Sequence, residues 1–220
     1  MCRRIAGYHL VFLAAMGWLL VSPALADIYI DWHVARGRLS LTSWKEKRDA
    51  GIVKQDHDYS CGAASLATLL NRYYGQTLTE DAILKELYNG EARASFEEMQ
   101  RALSKFGFRA LGLASSYAQL IQLKMPVIVY LKHRKDDHFS VLYGIDAETV
   151  WLADPSQGHR SHSRAEFLDM WHTRADNLLP GKFLAVFPSS PTIKPVDGFF
   201  TSVPTRHSLP ALRQLQSRQF

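Results

Sequence analysis

The sequence of 220 residues contains only two cysteines, Cys2 and Cys61. Two cysteines are too few for a disulfide-rich scaffold, for a zinc site with four cysteine ligands or for an iron–sulfur cluster held by cysteines alone. The sequence also lacks internal repeats, low-complexity runs and any strong charge imbalance, because 26 Lys and Arg residues stand against 21 Asp and Glu residues. This composition is typical of a globular protein that is long enough to bury a sizeable core.

The amino terminus has the three-part pattern of a secretory signal peptide. Arg3 and Arg4 form a basic start, residues 5–21 are mostly apolar, and residues 24–26 form an A-x-A cleavage signal. An uncleaved membrane anchor is the alternative, but the apolar stretch is near the lower length limit for a membrane span. We therefore expect a periplasmic protein, with no stable membrane span after cleavage at residue 26.

Cleavage would remove residues 1–26, including Cys2 and two arginines. The remaining net positive charge is too small to indicate a nucleic-acid partner. Cys61 would be the one cysteine of the mature chain. In an oxidising compartment a lone cysteine is buried and inert, joined to another chain, or kept because its thiolate is needed.

The pattern of apolar residues predicts an α+β fold in which a helical half precedes a half made mainly of strands. We predict an N-terminal extension over residues 27–51 with two short strands, a main domain over residues 52–187 and an extended tail over residues 188–220. The predicted helices cover residues 43–50, 61–74, 79–88, 95–106, 116–123 and 163–171, and the predicted main-domain strands cover residues 108–113, 126–131, 138–145, 149–153 and 182–187.

Cys61 stands where a polar loop becomes a helix. A helix N-terminus carries a partial positive charge and free backbone N–H groups, which stabilise a thiolate. Gly62 has no side chain, so we expect a substrate backbone to approach the sulfur closely. Gln55 is placed to donate its side-chain amide to the oxygen of a tetrahedral intermediate. The segment alone fits a buried structural cysteine equally well.

A general base is expected from His138, which opens an apolar strand. Asp154 ends the following strand, and antiparallel neighbours bring the start of one strand beside the end of the next. Asp154 would then hold the imidazole of His138 in one tautomer. The alternatives are a core histidine bonded to the backbone and an ordinary Asp-Pro turn. His57 lies nearer to Cys61 in the sequence, but in a polar loop.

The other histidines do not indicate a metal site. His159 and His162 are spaced to bring two imidazoles together, but their segment looks like a loop, and no H-E-x-x-H helix is present. We expect neither a metal nor a cofactor.

Three segments together resemble the bacteriocin-processing, double-glycine-type cysteine peptidases, which have a papain-like fold. These segments are QDHDYSCGAASL at residues 55–66, HFSVL at residues 138–142 and DPSQG at residues 154–158. The resemblance implies that Cys61 is the nucleophile, His138 the general acid and base, Asp154 the residue that orients the histidine, and Gln55 the oxyanion donor. Many family members have aspartate before the cysteine, where this chain has Ser60.

Typical members of that family are domains of ABC exporters, whereas this sequence shows a signal peptide and no transporter segments. It resembles more narrowly the stand-alone periplasmic peptidase of the Fap functional-amyloid secretion system. That resemblance implies a protein or peptide substrate, with amyloid subunits or an outer-membrane secretion pore as partners. Two other functions stay open: a catalytically silent module of the same fold that binds an export client, and a thiol amidase or acyltransferase.

Overall fold

The structure is a computed structural model that describes residues 27–32, 35–40, 42–87, 94–133 and 136–201. The predicted signal peptide, residues 1–26, and the end of the predicted tail, residues 202–220, lie outside the described residues. The chain divides into two compact units, one ending at Thr42 and the other beginning at Ser43. In the described ranges, no helix has both the length and the apolar character that a bilayer span requires.

The first unit contains a two-stranded antiparallel sheet. Strand β1 (Asp27–Trp32) pairs with strand β2 (Ala35–Ser40). The prediction of two short strands in this part of the chain is confirmed.

The second unit contains six helices in its described part, and a serine stands at the N-cap position of most of them. At Ser43, Ser95, Ser116 and Ser163 a capping box forms, in which the serine side chain and the third helical residue each satisfy a backbone N–H of the other. These local hydrogen bonds explain why the helix starts were predicted from sequence. The helices are α1 (Trp44–Asp49), α2 (Cys61–Tyr74), α3 (Glu80–Leu87), α4 (Phe96–Lys105), α5 (Tyr117–Gln122) and α6 (Arg164–Trp171).

A six-stranded antiparallel sheet forms the centre of this unit, in the order β3-β8-β4-β5-β6-β7. All the strand pairs of this sheet are antiparallel and helices pack against it, so the predicted α+β class is confirmed. The strands are β3 (Phe108–Ser115), β4 (Val127–His133), β5 (Asp136–Ile145), β6 (Thr149–Asp154), β7 (Gly158–Ser163) and β8 (Gly181–Pro188).

Strand β7 was not predicted, and the interpretation of residues 159–162 as a loop is wrong. The segment pairs with β6, with His162 opposite Val150 and Gly158 opposite Asp154. As an edge strand, β7 is largely exposed, so burial imposes no apolar alternation that a sequence could display.

Helix α2 packs on one face of the sheet and is almost completely buried. Its residues from Cys61 to Leu70 are all buried, and most of them are alanine or leucine. Small alanine side chains let the helix axis approach the sheet closely, where it packs against β5. Phe167 and Trp171 of α6 fill the core on the opposite face.

The described part of the predicted tail packs against the far end of α2. The Val196 N–H donates to the carbonyl of Tyr73 at 2.7 Å, and the Thr201 N–H donates to the carbonyl of Tyr143 at 3.1 Å. Phe199 is buried and stacks on the Tyr143 ring, with 5.6 Å between ring centres. This end of α2 lies about 20 Å from Cys61, given the rise per residue of an α-helix.

We predict that Gly181→Ala destabilises the protein by about 1–3 kcal/mol, because an added methyl group would overlap the buried indole ring of Trp171. Urea unfolding measures the loss. Gly112→Ala is the control, since its new methyl group would lie 3.5 Å from Phe96, an ordinary contact. Equal destabilisation by the two substitutions would contradict this account of Gly181.

Candidate active site

The turn before Cys61 is closed by a buried serine. The Ser60 hydroxyl donates to the carbonyl of His57 at 2.8 Å and accepts from the His57 N–H at 3.1 Å. Ser60 therefore fixes the last turn before α2 and places Cys61 at the first position of the helix. The Cys61 thiol is free and buried. The backbone N–H groups at this end have no partner within the helix.

Gly62 is explained by packing rather than by access for a substrate. A methyl group at this position would lie 2.5 Å from the terminal carbon of Met99 and 3.2 Å from the side chain of Ala94. The space beside Gly62 is thus filled by the core. The expectation that Gly62 leaves room for a substrate backbone is therefore wrong.

His138 and Asp154 lie together, as the antiparallel arrangement of β5 and β6 predicted. The Nε2 atom of His138 is 2.7 Å from Oδ2 of Asp154. Cys61 is also near enough to His138 to raise the pKa of its ring. Because Nε2 is engaged by Asp154, Nδ1 is the nitrogen left for the cysteine. The structure thus brings three predicted site residues into one connected group.

The pKa of His138 is raised to about 10. Burial by itself would lower the pKa, but the hydrogen bond with Asp154, the charge of Asp154 and the neighbouring Cys61 together outweigh it. His138 is therefore an imidazolium at neutral pH.

Asp154 is buried, and both of its oxygens accept hydrogen bonds. Oδ1 accepts from the Ser156 N–H at 2.9 Å, the Ser156 hydroxyl at 2.7 Å and the Gln157 N–H at 2.8 Å. Oδ2 accepts from His138 and from the Ser140 hydroxyl, the latter at 2.6 Å. Burial acts to raise the pKa of Asp154, but the hydrogen bonds and the charge of His138 hold it well below its usual value.

Ser140 and Ser156 were not predicted to take part in this site. Ser156 follows an Asp-Pro pair, and aspartate commonly accepts hydrogen bonds from the backbone two or three residues later in such turns. Ser140 lies two residues after His138, so both side chains point to the same face of β5. Both signals are present in the sequence. They become informative only after Asp154 is known to hold His138.

Gln55 is held beside this group through its backbone. Its N–H donates to the carbonyl of Pro155 at 3.1 Å, which ties it to the turn after Asp154. Its side-chain Nε2 donates to the carbonyl of His57 at 3.0 Å, and its Oε1 is buried without a hydrogen-bond partner in the described part of the chain. An amide nitrogen carries two N–H donors, and the bond to His57 uses one of them.

Two neighbouring residues anchor the Gln55 loop. The Lys54 ammonium donates to the carbonyl of Ser156 at 2.8 Å. The Asp56 N–H lies 3.1 Å from each carboxylate oxygen of Glu80, which is buried at the start of α3. The loop is thus fixed between the Asp154 turn and α3.

A cavity of about 60 Å³ opens beside Cys61. Three aromatic rings and two carboxylates contribute to its wall, and the Tyr130 hydroxyl donates to Asp137 at 2.5 Å. A cavity of this size suits a small substrate group next to the sulfur. The lining residues are Asp58, Tyr59, Cys61, Ala94, Tyr130, Asp137 and Phe139.

The other histidines of the described chain occupy different surroundings. His57 is exposed and stacks on Tyr59. His159 lies 3.0 Å from both the Tyr143 hydroxyl and the carbonyl of Ala50, and His162, three residues further along β7, points to the opposite face. Within the described ranges, no group of three or more His, Cys, Asp or Glu side chains is arranged to hold a metal ion.

The sequence of this chain matches a known family of peptidases. The model of the Peptidase C39 family matches residues 49–175. The chain is 38% identical over 138 residues to a Pseudomonas aeruginosa protein named "Probable functional amyloid protease FapD", which covers 59% of this chain and 61% of that protein. The chain thus spans about three fifths of the length of this relative.

Two solved structures share the fold. The peptidase domain of Streptococcus ComA, described as a bifunctional ABC transporter involved in quorum sensing, matches with a TM-score of 0.52 and 20% identity, over 63% of this chain and 98% of that domain. A double-glycine-motif protease from an AMS/PCAT transporter, solved in complex with the leader peptide, matches with a TM-score of 0.52 and 22% identity. The match covers 62% of this chain and 90% of that chain. The predicted papain-like fold is confirmed.

We predict that Asp154→Asn lowers the pKa of His138 from about 10, because the substitution removes a negative charge and a strong acceptor while burial remains. NMR titration of the His138 ring protons measures this. Asp146→Asn is the matched control, since Asp146 likewise accepts from backbone N–H groups in the turn at the other end of the β5–β6 hairpin. An unchanged midpoint in Asp154→Asn would contradict the prediction.

We also predict how the stability contributed by this pair varies with pH. The raised pKa of His138 contributes stability that is fully present below its usual value of 6.5 and is lost as pH rises to about 10. The lowered pKa of Asp154 contributes stability that is fully present above its usual value of 3.8 and is lost as pH falls.

The free energy of unfolding should therefore differ most between the wild type and Asp154→Asn from about pH 4 to about pH 6.5. Urea unfolding across pH 3 to 10 tests this. If the difference in the free energy of unfolding instead grew steadily between pH 7 and 10, the predicted direction of the His138 contribution would be wrong.

Proposed function

The chain belongs to the Peptidase C39 family, and from this premise we propose that it is a periplasmic cysteine endopeptidase that processes an exported protein. The observation that carries the proposal is the connected group of Cys61, His138 and Asp154, in which a buried carboxylate keeps an imidazole charged beside a thiol. Such a group generates a thiolate nucleophile at neutral pH.

In the proposed reaction, the Cys61 thiolate attacks the carbonyl carbon of the scissile peptide bond. The carbonyl oxygen becomes an oxyanion, which the Cys61 backbone N–H and the Gln55 side-chain amide stabilise. His138 then gives its proton to the amine nitrogen, the C–N bond breaks, and a thioester remains on Cys61. His138 next takes a proton from water, the resulting hydroxide attacks the thioester, the C–S bond breaks, and the carboxylic acid product leaves as the thiolate reforms.

Asp154 acts in this scheme through His138. Its Oδ2 holds Nε2 of the ring, so Nδ1 stays directed to the sulfur through both half-reactions. Asp154 remains ionised throughout, because its hydrogen bonds stabilise the charged form in both protonation states of the histidine.

The proposed location and substrate rest on different observations. The signal-peptide pattern of residues 1–26 supports export to the periplasm. The name of the Pseudomonas aeruginosa relative supports an amyloid subunit, or a component of its secretion pore, as the protein that is cleaved. The small cavity beside Cys61 supports small residues at the scissile bond.

The test is mass spectrometry of candidate secreted proteins incubated with the full chain purified from the periplasm. We expect two new peptides from the cut substrate with the wild type and none with Cys61→Ala. Gln55→Ala should lower kcat by roughly 10²–10³, the usual effect of removing one oxyanion donor. Asp146→Asn, which lies at the far end of the β5–β6 hairpin, serves as the control and should retain full activity.

Three outcomes would overturn the proposal. Identical fragments with the wild type and Cys61→Ala would show that another protease cuts the substrate. A new amide bond or released ammonia in place of two peptides would identify an acyltransferase or amidase. A stable complex that releases no product would identify a binding module.

A further inference from the structure

Helix α2 buries a hydroxyl group on the face that packs against β5. Ser65 is 0% exposed, and its hydroxyl donates to the carbonyl of Phe139 at 3.1 Å. A buried hydroxyl without a partner costs about 1–3 kcal/mol. The hydroxyl is therefore satisfied only when the helix and the strand are in their observed register.

This hydrogen bond joins the two elements that carry the reacting groups. Ser65 follows Cys61 by four residues, so it lies one turn along the same face of α2. Phe139 follows His138 directly on β5. A serine in a helix commonly donates to the carbonyl four residues earlier, which here would be that of Cys61, but Ser65 donates across to the strand instead.

We propose that Ser65 is a positioning residue whose hydrogen bond to Phe139 sets the distance between the Cys61 sulfur and the His138 ring. This inference rests on the function proposed for that site. The apolar contacts between α2 and the sheet have no preferred direction, so by themselves they allow the helix to slide. A hydrogen bond weakens steeply with distance and angle, and therefore fixes the register.

The same helix supplies a matched control at its other end. Tyr74, the last residue of α2, is buried, and its hydroxyl donates to the carbonyl of Val186 on β8 at 2.7 Å. Tyr74→Phe therefore also removes a buried hydrogen bond between α2 and the sheet. The lost bond lies about 20 Å from Cys61, given the helical rise.

The experiment compares Ser65→Ala with Tyr74→Phe in the full chain. Urea unfolding gives the loss of stability, peptide cleavage gives kcat and KM, and NMR titration gives the pH midpoint of the His138 ring. We expect Ser65→Ala to lower kcat about tenfold, since misplacing a reacting group by a fraction of an ångström carries a penalty of this size. KM should be unchanged, and the His138 midpoint should fall because contact with Cys61 is weakened.

For Tyr74→Phe we expect a loss of stability with kcat and the His138 midpoint unchanged. If Ser65→Ala and Tyr74→Phe affect kcat and the midpoint alike, the positioning role is wrong and Ser65 serves only the stability of the core. If the wild type cleaves nothing while the midpoint shifts in Ser65→Ala alone, the proposed function fails and the positioning role stands.

Discussion

The burial of the Asp154 carboxylate is the constraint on which the candidate site depends. A buried carboxylate is costly unless donors surround it, and five hydrogen bonds from four residues supply them. Three come from the turn that follows β6 and fix one oxygen. The other oxygen is left to receive the His138 ring, so the geometry of a β-turn determines the direction of an imidazole.

The negative charge of Asp154 affects Cys61 indirectly, because it keeps the neighbouring His138 protonated. An imidazole that keeps its proton to about pH 10 is a cation at physiological pH before the reaction begins. The sulfur beside it also lies at the N-terminus of α2, whose N–H groups favour negative charge. Both effects fall off with distance. They therefore require that α2 and β5 be held in one register, which the buried interface between them provides.

Residues before the predicted start of the main domain also support this site. A side chain at Gly158, the end of the Asp154 turn, would overlap Asp49 and would lie 2.7 Å from the carbonyl of Arg48. Helix α1 thus packs directly on the turn that holds the carboxylate. The compact unit accordingly begins at Ser43.

The sequence by itself determined the helices and the identity of the central residues. Capping boxes and Gly75 are local signals, and Cys61, His138 and Asp154 were found from residue type, strand order and family resemblance. Only the tertiary structure decided the edge strand β7, the packing role of Gly62 and the partner of Ser65. The physical reason is that neighbours in the chain leave a periodic pattern, whereas a hydrogen bond between residues 74 positions apart leaves none.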